Sequence, residues 1–132
     1  MSRLCVVALG GNLRGWAREA RDDYLRRMPR GYEIACAPKV PRGARVIALD
    51  ERGEAMDSFA FSRKMQFWMG EKTALAFVIG GPDGLDEKVK AQASFLLRLS
   101  SLTLPHALAE VVLVEQLYRA ATLLTGHPYH RG

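Results

Sequence analysis

Five short apolar segments separated by helical patterns constrain this chain more than any other feature. The apolar segments predict strands over 3–10, 32–37, 45–50, 73–79 and 94–99. Apolar residues at helical spacing predict helices over 14–28, 57–70, 85–93 and 106–124. Alternating strands and helices are typical of an α/β protein with a mostly parallel sheet and helices on both faces. In such folds, ligands bind near the carboxyl ends of the strands.

Length and composition predict one soluble domain that spans residues 1–132. Apolar residues make up 48% of the chain and charged residues 25%, which is ordinary for a globular protein. No apolar run approaches the roughly 20 residues that span a bilayer, so we expect a cytoplasmic protein without a membrane partner. The net charge of +5 is compatible with nucleic acid. No Cys/His spacing resembles a zinc site, so no metal is expected, and Cys5 and Cys36 are predicted to be free thiols in the core.

Two helical segments carry apolar faces. In the first, Trp16, Ala20, Tyr24 and Met28 recur every four residues. In the second, the large apolar residues are Phe59, Met65, Phe67, Trp68 and Met69. A stripe of aromatic and Met residues is more often core or interface than a cofactor site. The segment 51–54 between these helices is predicted to be a turn.

A glycine-rich turn, residues 80–84, follows the most apolar strand and precedes a helix. Glycines permit positive φ angles and let a ligand approach the backbone. Exposed amides at a helix start suit an anionic or carbonyl group. The turn lacks the Gly-Lys-Ser/Thr of a P-loop and the spacing of a dinucleotide fingerprint. A tight turn without any ligand is the alternative.

A second turn, residues 99–105, alternates Leu with Ser and Thr. Leu side chains in a loop normally need burial, so Leu99, Leu102 and Leu104 are expected to pack against the core or a ligand. The backbone of this loop could then hydrogen-bond a purine edge between Leu side chains. The alternative is a buried connector in which Pro105 starts the final helix.

The chain resembles the RlmH family, which are bacterial 23S rRNA pseudouridine N3-methyltransferases of the knotted SPOUT class. The resemblance runs nearly end to end and includes a weaker match at Trp16 and 24–29. The segments that carry it are Ile79–Leu85, Leu102–His106, Val114–Ala120 and His127–Arg131.

The resemblance implies a C-terminal trefoil knot, which periodicity alone would never suggest because knots are almost absent from proteins. It also implies S-adenosylmethionine as the cofactor, bound in the knot of a homodimer. Carried over by position, the cofactor-binding residues are Leu49, Gly80, Leu99, Ser100, Ser101, Leu102, Thr103 and Leu104.

The implied reaction is methylation of N3 of a pseudouridine in helix 69 of 23S rRNA on the ribosome. The candidate catalytic residues are His130, Arg131 and Tyr129, on a tail that completes the partner's site. His could accept a proton near neutral pH, and Arg could stabilise a developing imidate oxygen. The sequence identifies no general base.

Two alternatives remain open, because the loop 38–43 is shorter than the Lys- and Gly-rich insert usual in the family. One is a SPOUT methyltransferase with a different RNA target. The other is a non-catalytic RNA-binding protein associated with the ribosome.

On the last helix, Glu115 and Arg119 are spaced to form an ion pair, and a structural role near the knot is expected for His106.

Overall fold

A computed structural model describes residues 4–71 and 73–131, with side chains as far as Tyr129. The elements follow the predicted order of strands and helices, with a short 3₁₀ turn added at the end. They are β1 Leu4–Ala8, α1 Gly15–Arg27, β2 Ile34–Ala37, β3 Arg45–Ala55, α2 Ser58–Met69, β4 Leu75–Ile79, α3 Glu87–Gln92, β5 Phe95–Arg98, α4 His106–Thr125 and the 3₁₀ turn Pro128–Arg131.

The five strands form one sheet in the order β2-β1-β4-β3-β5, and every neighbouring pair is parallel. In the centre of the sheet, Leu75 of β4 lies opposite both Leu4 of β1 and Arg45 of β3. The predicted α/β class with a mostly parallel sheet is confirmed. Because the strands run the same way, their carboxyl ends meet along one edge.

Side chains from alternate positions of the strands fill two separate cores. On one face, residues such as Leu4, Ile47 and Phe77 pack with α1, α2 and α4. On the other face, residues such as Val7 and Val78 pack with the partly buried side chains of α3 and the loops. Both faces of the sheet are therefore covered, as predicted, and full burial of each large side chain contributes about 1.5–3 kcal/mol.

The predicted apolar faces of α1 and α2 are confirmed in part. On the predicted face of α1, Met28 is buried as expected, but Trp16 is 64% exposed and its neighbour Ala17 is buried. In α2, the predicted Met65 and Trp68 are buried together with Phe61 and Ser62, whereas Phe59 and Phe67 are 62% and 69% exposed. Adjacent residues point about 100° apart on a helix. Apolar residues on both sides of a stripe therefore leave its true direction open until the sheet is in place.

The predicted turn at 51–54 lies inside a longer strand, because β3 continues to Ala55. Leu49 and Glu54 both lie opposite Leu97 of β5, so the residues between them leave the ladder. A Cβ on Gly53 would come within 2.7 Å of the Leu96 and Leu97 backbone. These residues, 50–53, form an excursion of β3 that lies directly against β5, where a side chain at position 53 would not fit.

The prediction of two core thiols is correct for Cys5 and wrong for Cys36. Cys5 is buried in the sheet, and burial raises the pKa of its thiol. Cys36 is exposed, because β2 is an edge strand with one uncovered side.

Every helix within the described ranges is too short or too polar to cross a bilayer. In that same part of the chain, no three His, Cys, Asp or Glu side chains come together as a metal site. The trefoil threading that the resemblance implies stays a prediction.

Candidate functional site

A cavity of about 920 Å³ opens where β3, β4 and β5 end and α4 begins. Three chain segments line most of it: the β3 excursion, the glycine-rich turn and the Leu-rich turn. Of the residues predicted to bind a cofactor, those in the cavity wall are Leu49, Gly80, Leu99, Ser100, Leu102, Thr103 and Leu104. Among the described lining residues Ser101 is missing, and its side chain is exposed.

The glycine-rich turn closes tightly on itself. The Gly84 amide donates to the Gly81 carbonyl at 2.9 Å, which makes 81–84 a β-turn. Among the described residues only glycines have positive φ, so Asp83 has negative φ and the turn is not type II. A Cβ on Gly80 would lie 2.4 Å from the Gly84 carbonyl carbon. Glycine at 80 is therefore required by the closure of the turn that forms one cavity wall.

The Leu-rich turn is only partly buried. Leu99 and Leu104 are partly buried, but Leu102 is 78% exposed. The Ser100 hydroxyl accepts the Leu102 amide at 2.9 Å, and this local turn directs residue 102 away from the core. The sequence predicts that the three Leu side chains pack against the core or a ligand. Leu102 does not pack against the core but lines the cavity, so its contact with a ligand stays a prediction.

Charged residues that the sequence analysis missed surround the cavity. Asp50, on the β3 excursion, accepts the Arg52 amide at 2.7 Å and pairs with Lys90 of α3 at 3.0 Å. These two contacts, the amide first, hold the pKa of the Asp50 carboxyl below its usual range. Asp50 lies just after the buried part of a strand, and that position was the sequence signal for a site residue. The predicted turn at 51–54 obscured this signal.

Arg98, at the end of β5, also lines the cavity. Its Nε atom is buried and has no hydrogen-bond partner among the described residues. A buried donor without an acceptor costs about 1–3 kcal/mol.

After α4 ends, the tail folds back along that helix as far as its middle. The Tyr129 hydroxyl donates to Glu115 Oε2 at 2.9 Å and lies 3.2 Å from the Tyr24 hydroxyl. The Tyr129 ring packs on Tyr118 at 4.5 Å and on the Arg119 guanidinium at 5.1 Å. Burial, and after it the hydrogen bonds to Tyr24 and Glu115, raise the pKa of Tyr129 above its ordinary range.

The predicted ion pair is present, with Arg119 Nη2 2.8 Å from Glu115 Oε2. At a rise of about 1.5 Å per residue, Glu115 lies roughly 13 Å along α4 from His106. The cavity wall extends along α4 to Ala109, so the Tyr129 hydroxyl on Glu115 is roughly 9 Å along the helix from that wall. His106 lies in the cavity wall, and its Cδ2 is 3.4 Å from the position of a Cβ on Gly10. The side chains of His130 and Arg131 lie outside the described residues, so all three catalytic roles stay predictions.

Residues 33–130 match a family model described as "Predicted SPOUT methyltransferase". The chain belongs to the SPOUT methyltransferase family. SPOUT folds also appear among similar solved structures, at 13% identity. A probable methylase family protein from Haemophilus influenzae has a TM-score of 0.64 over 97% of this chain and 70% of its own. TrmJ from Z. mobilis has 0.59 over 89% and 69%.

Two curated relatives of this SPOUT protein are each named "Ribosomal RNA large subunit methyltransferase H". The protein from Polynucleobacter asymbioticus is 44% identical over 98% of this chain and 99% of its own length. The protein from Variovorax paradoxus has the same identity and coverage. The alignments span 145 and 153 positions, so the relatives contain residues that this 132-residue chain lacks.

SPOUT methyltransferases of this type use S-adenosylmethionine, and the cavity fits that cofactor. Its volume lies in the range of small-molecule sites. Leu49, Leu99 and Leu104 provide apolar contacts for a ring system, and the backbone of 80–84 adds polar groups. The Arg98 guanidinium and the Asp50 carboxylate belong to residues that line the cavity, and these charges suit a carboxylate and a cation respectively. The chain is an S-adenosylmethionine-dependent methyltransferase.

Proposed function

We propose that this enzyme methylates N3 of a pseudouridine in helix 69 of 23S rRNA, on the ribosome in the cytoplasm. The observation that carries the proposal is the 44% identity, over nearly the full length of both chains, to enzymes named for large-subunit rRNA methylation. The net charge of +5 supports a substrate rich in phosphate.

The cavity residues would hold the cofactor and exclude water from it. Leu49, Leu99 and Leu104 would bind its purine, while the backbone of 80–84 and the Arg98 side chain would bind its polar groups. When bound, the cofactor supplies an electrophilic methyl group on a positively charged sulfur. The protein then needs to place the nucleophile in line with that group, and alignment alone can supply much of the rate enhancement.

The target nitrogen must lose its proton before or during methyl transfer. We propose that His130 and Arg131 position the base, with Arg131 stabilising negative charge on the ring oxygens as the proton leaves. Tyr129 remains a third candidate in the tail, but its hydroxyl is already engaged by Glu115 and Tyr24. The general base is not assigned to any residue.

We further propose that the enzyme works as a homodimer in which each tail completes the partner's cavity. Contacts with Glu115 and Tyr118 hold Tyr129 of the tail against the middle of α4, whereas the cavity lies at the amino end of that helix. This placement of Tyr129 supports a role of the tail at the cavity of another chain. The exposed Leu102 at the cavity edge is available for such a contact.

The test is methyl transfer to large subunits from a strain that lacks the mark, with mass spectrometry to locate the modified nucleotide. We expect the methyl group on N3 of a helix 69 pseudouridine. Cys36→Ser, which alters an exposed thiol away from the cavity, serves as the control and should act like the wild type. Absence of both cofactor binding and methylation would contradict the proposal.

A SPOUT methyltransferase with another RNA target is the second candidate, favoured by the shorter length of this chain relative to its relatives. It predicts transfer to a different nucleotide, which the same mapping experiment detects. Ribosome binding without any methyl transfer would instead indicate the non-catalytic alternative.

A further inference from the structure

Helix α2 exposes two aromatic residues beside a groove of about 600 Å³. Phe59 and Phe67 are 62% and 69% exposed, although neighbouring Phe61 and Trp68 are buried. Phe59 and Phe67 are about two helical turns apart on one side of α2, and both residues line the groove. Large exposed aromatics grouped at one groove are typical of binding surfaces.

Cations lie between these aromatic residues. The Arg63 guanidinium stacks over the Phe59 ring at 5.8 Å, and Lys64 places its Nζ 5.2 Å from the Phe95 ring. Arg63 and Lys64 both line the groove, where Glu54 is the one acidic residue among the lining residues described. Flat apolar rings flanked by cations match the bases and phosphates of a single nucleic-acid strand.

The groove and the cavity are both lined from β3 and the residues that directly follow it. Glu54 and Met56 form one side of the groove, while Arg52, on the excursion that precedes them, lines the cavity. Ala55 lies opposite Arg98, which is itself a cavity residue. A strand of RNA with one base in the cavity would therefore reach the groove with its neighbouring nucleotides.

We propose that the α2 groove binds single-stranded nucleotides adjacent to the methylated base, with bases stacked on Phe59 and Phe67 and phosphates paired with Arg63 and Lys64. The proposal rests on the function proposed above, since it requires an RNA substrate. Recognition of unpaired RNA depends largely on such stacking.

A second copy of the chain fits the groove less well. A twofold dimer brings the same surface of each copy together. The groove has two cations, Arg63 and Lys64, and one acidic residue, Glu54, among its described lining residues, so a self-contact would bring together two surfaces of the same net charge. RNA has the opposite charge and matches this arrangement.

The experiment measures the Kd and KM of large ribosomal subunits that lack the mark, with cofactor affinity measured separately by calorimetry. We expect Phe67→Ala and Phe59→Ala each to raise Kd and KM about tenfold, because stacking contributes about 1–3 kcal/mol per base. The kcat and the cofactor Kd should be unchanged. Gln66→Ala, an exposed position on the same helix and outside the groove, is the matched control.

Two conservative variants separate stacking from simple apolar contact. Phe67→Trp should keep RNA affinity because it retains a flat ring, whereas Phe67→Leu should lose it despite similar apolar character. Arg63→Gln should reduce the slope of log affinity against log salt by about 1. Wild-type affinity in Phe67→Leu would overturn the proposal, as would unchanged KM in both alanine variants.

Light scattering on the same variants tests for a contact between copies. If Phe67→Ala dissociates the enzyme into single chains while the RNA affinity of each chain stays normal, the groove is an interface between copies and the RNA proposal is wrong. A wild-type enzyme that binds ribosomal subunits but does not methylate them would overturn the proposed function alone. The groove proposal is tested by the Kd for those subunits and not by methylation.

Discussion

The amino end and the middle of α4 differ in how completely the polar groups beside them are satisfied. Beside the amino end, Arg98 Nε has no hydrogen-bond partner among the described residues, and Leu102 is exposed. In the middle of the helix, Glu115 accepts from both Tyr129 and Arg119, and Tyr129 also meets Tyr24. The difference indicates that the amino end is built to receive a ligand, while the middle is built to hold a segment of its own chain in a fixed place.

The largest effect should come from Gly80→Ala at the cavity end. The added Cβ would meet the Gly84 carbonyl carbon at 2.4 Å, and backbone atoms cannot move aside cheaply. We expect cofactor affinity to fall by at least 100-fold and the free energy of unfolding by about 1–3 kcal/mol. Calorimetry and urea denaturation measure the two changes.

Gly43→Ala is the control for a generic effect of replacing glycine. Gly43 has a φ of +77° in a loop away from the cavity, so alanine there is strained but meets open space. It should lose stability without losing cofactor affinity. Equal cofactor affinity in both variants would show that the closed turn is not needed for the site.

Tyr129→Phe should have the next largest effect, where the tail meets the middle of α4. Removal of the hydroxyl leaves Glu115 with one fewer donor, and we expect about 1 kcal/mol less stability. Methyl transfer should fall about tenfold because the tail is held less firmly, while cofactor affinity stays normal. A loss of cofactor affinity would contradict the separation between the two regions.

The pH dependence of stability gives a second test of the contacts made by the Tyr129 hydroxyl. The pKa of Tyr129 is raised above its ordinary value of 10.0 in the folded protein, so the folded state holds this proton more tightly than the unfolded state. Its contribution is full below that pH and is lost as pH rises above it. We expect the free energy of unfolding to fall more steeply above pH 10 in the wild type than in Tyr129→Phe, as followed by circular dichroism.

Arg98→Met should weaken cofactor binding several-fold without loss of stability. The change keeps much of the apolar stem and removes the buried donor that lacks a partner. Calorimetry measures the affinity, and thermal unfolding checks the fold. If binding is unaffected but stability rises, Arg98 is an unsatisfied group with no role in the cavity.

The smallest effect should come from Leu102→Ser at the cavity edge. Since the side chain is 78% exposed, the free energy of unfolding should change by less than about 0.5 kcal/mol. Cofactor affinity or dimerisation should still fall a few-fold, because each would cover this side chain. Unchanged values for both would leave Leu102 as an ordinary surface residue.

The order and type of the main elements follow from the sequence because strand and helix periods are local. The β3 excursion was not predictable in the same way: residues 51–54 have the composition of a turn, and only the register with Leu97 shows that the strand resumes. The face of α2 was predicted only in part for a similar reason, since Phe59 and Phe61 are equally apolar. Only the position of the sheet decides which of them is buried.

At the site, the cavity wall was largely predictable, while its charges were not. The glycine-rich and Leu-rich turns have distinctive compositions, and the resemblance brings them together. Asp50 and Lys90 are distant in sequence and ordinary in type, so their 3.0 Å contact depends on the packing of α3 beside β3. The Glu115–Arg119 pair was predictable from helical spacing, but its link to Tyr129 required the tail to fold back.

The rigid α4 between cavity and tail has a genetic consequence. If every reaction uses the cavity of one chain and the tail of another, the two functions can be lost in separate molecules and restored by mixing. A chain with Gly80→Ala and a chain with Tyr129→Phe would each be defective alone. In a mixed dimer, the intact cavity of one chain would meet the intact tail of the other, and one of the two sites would work.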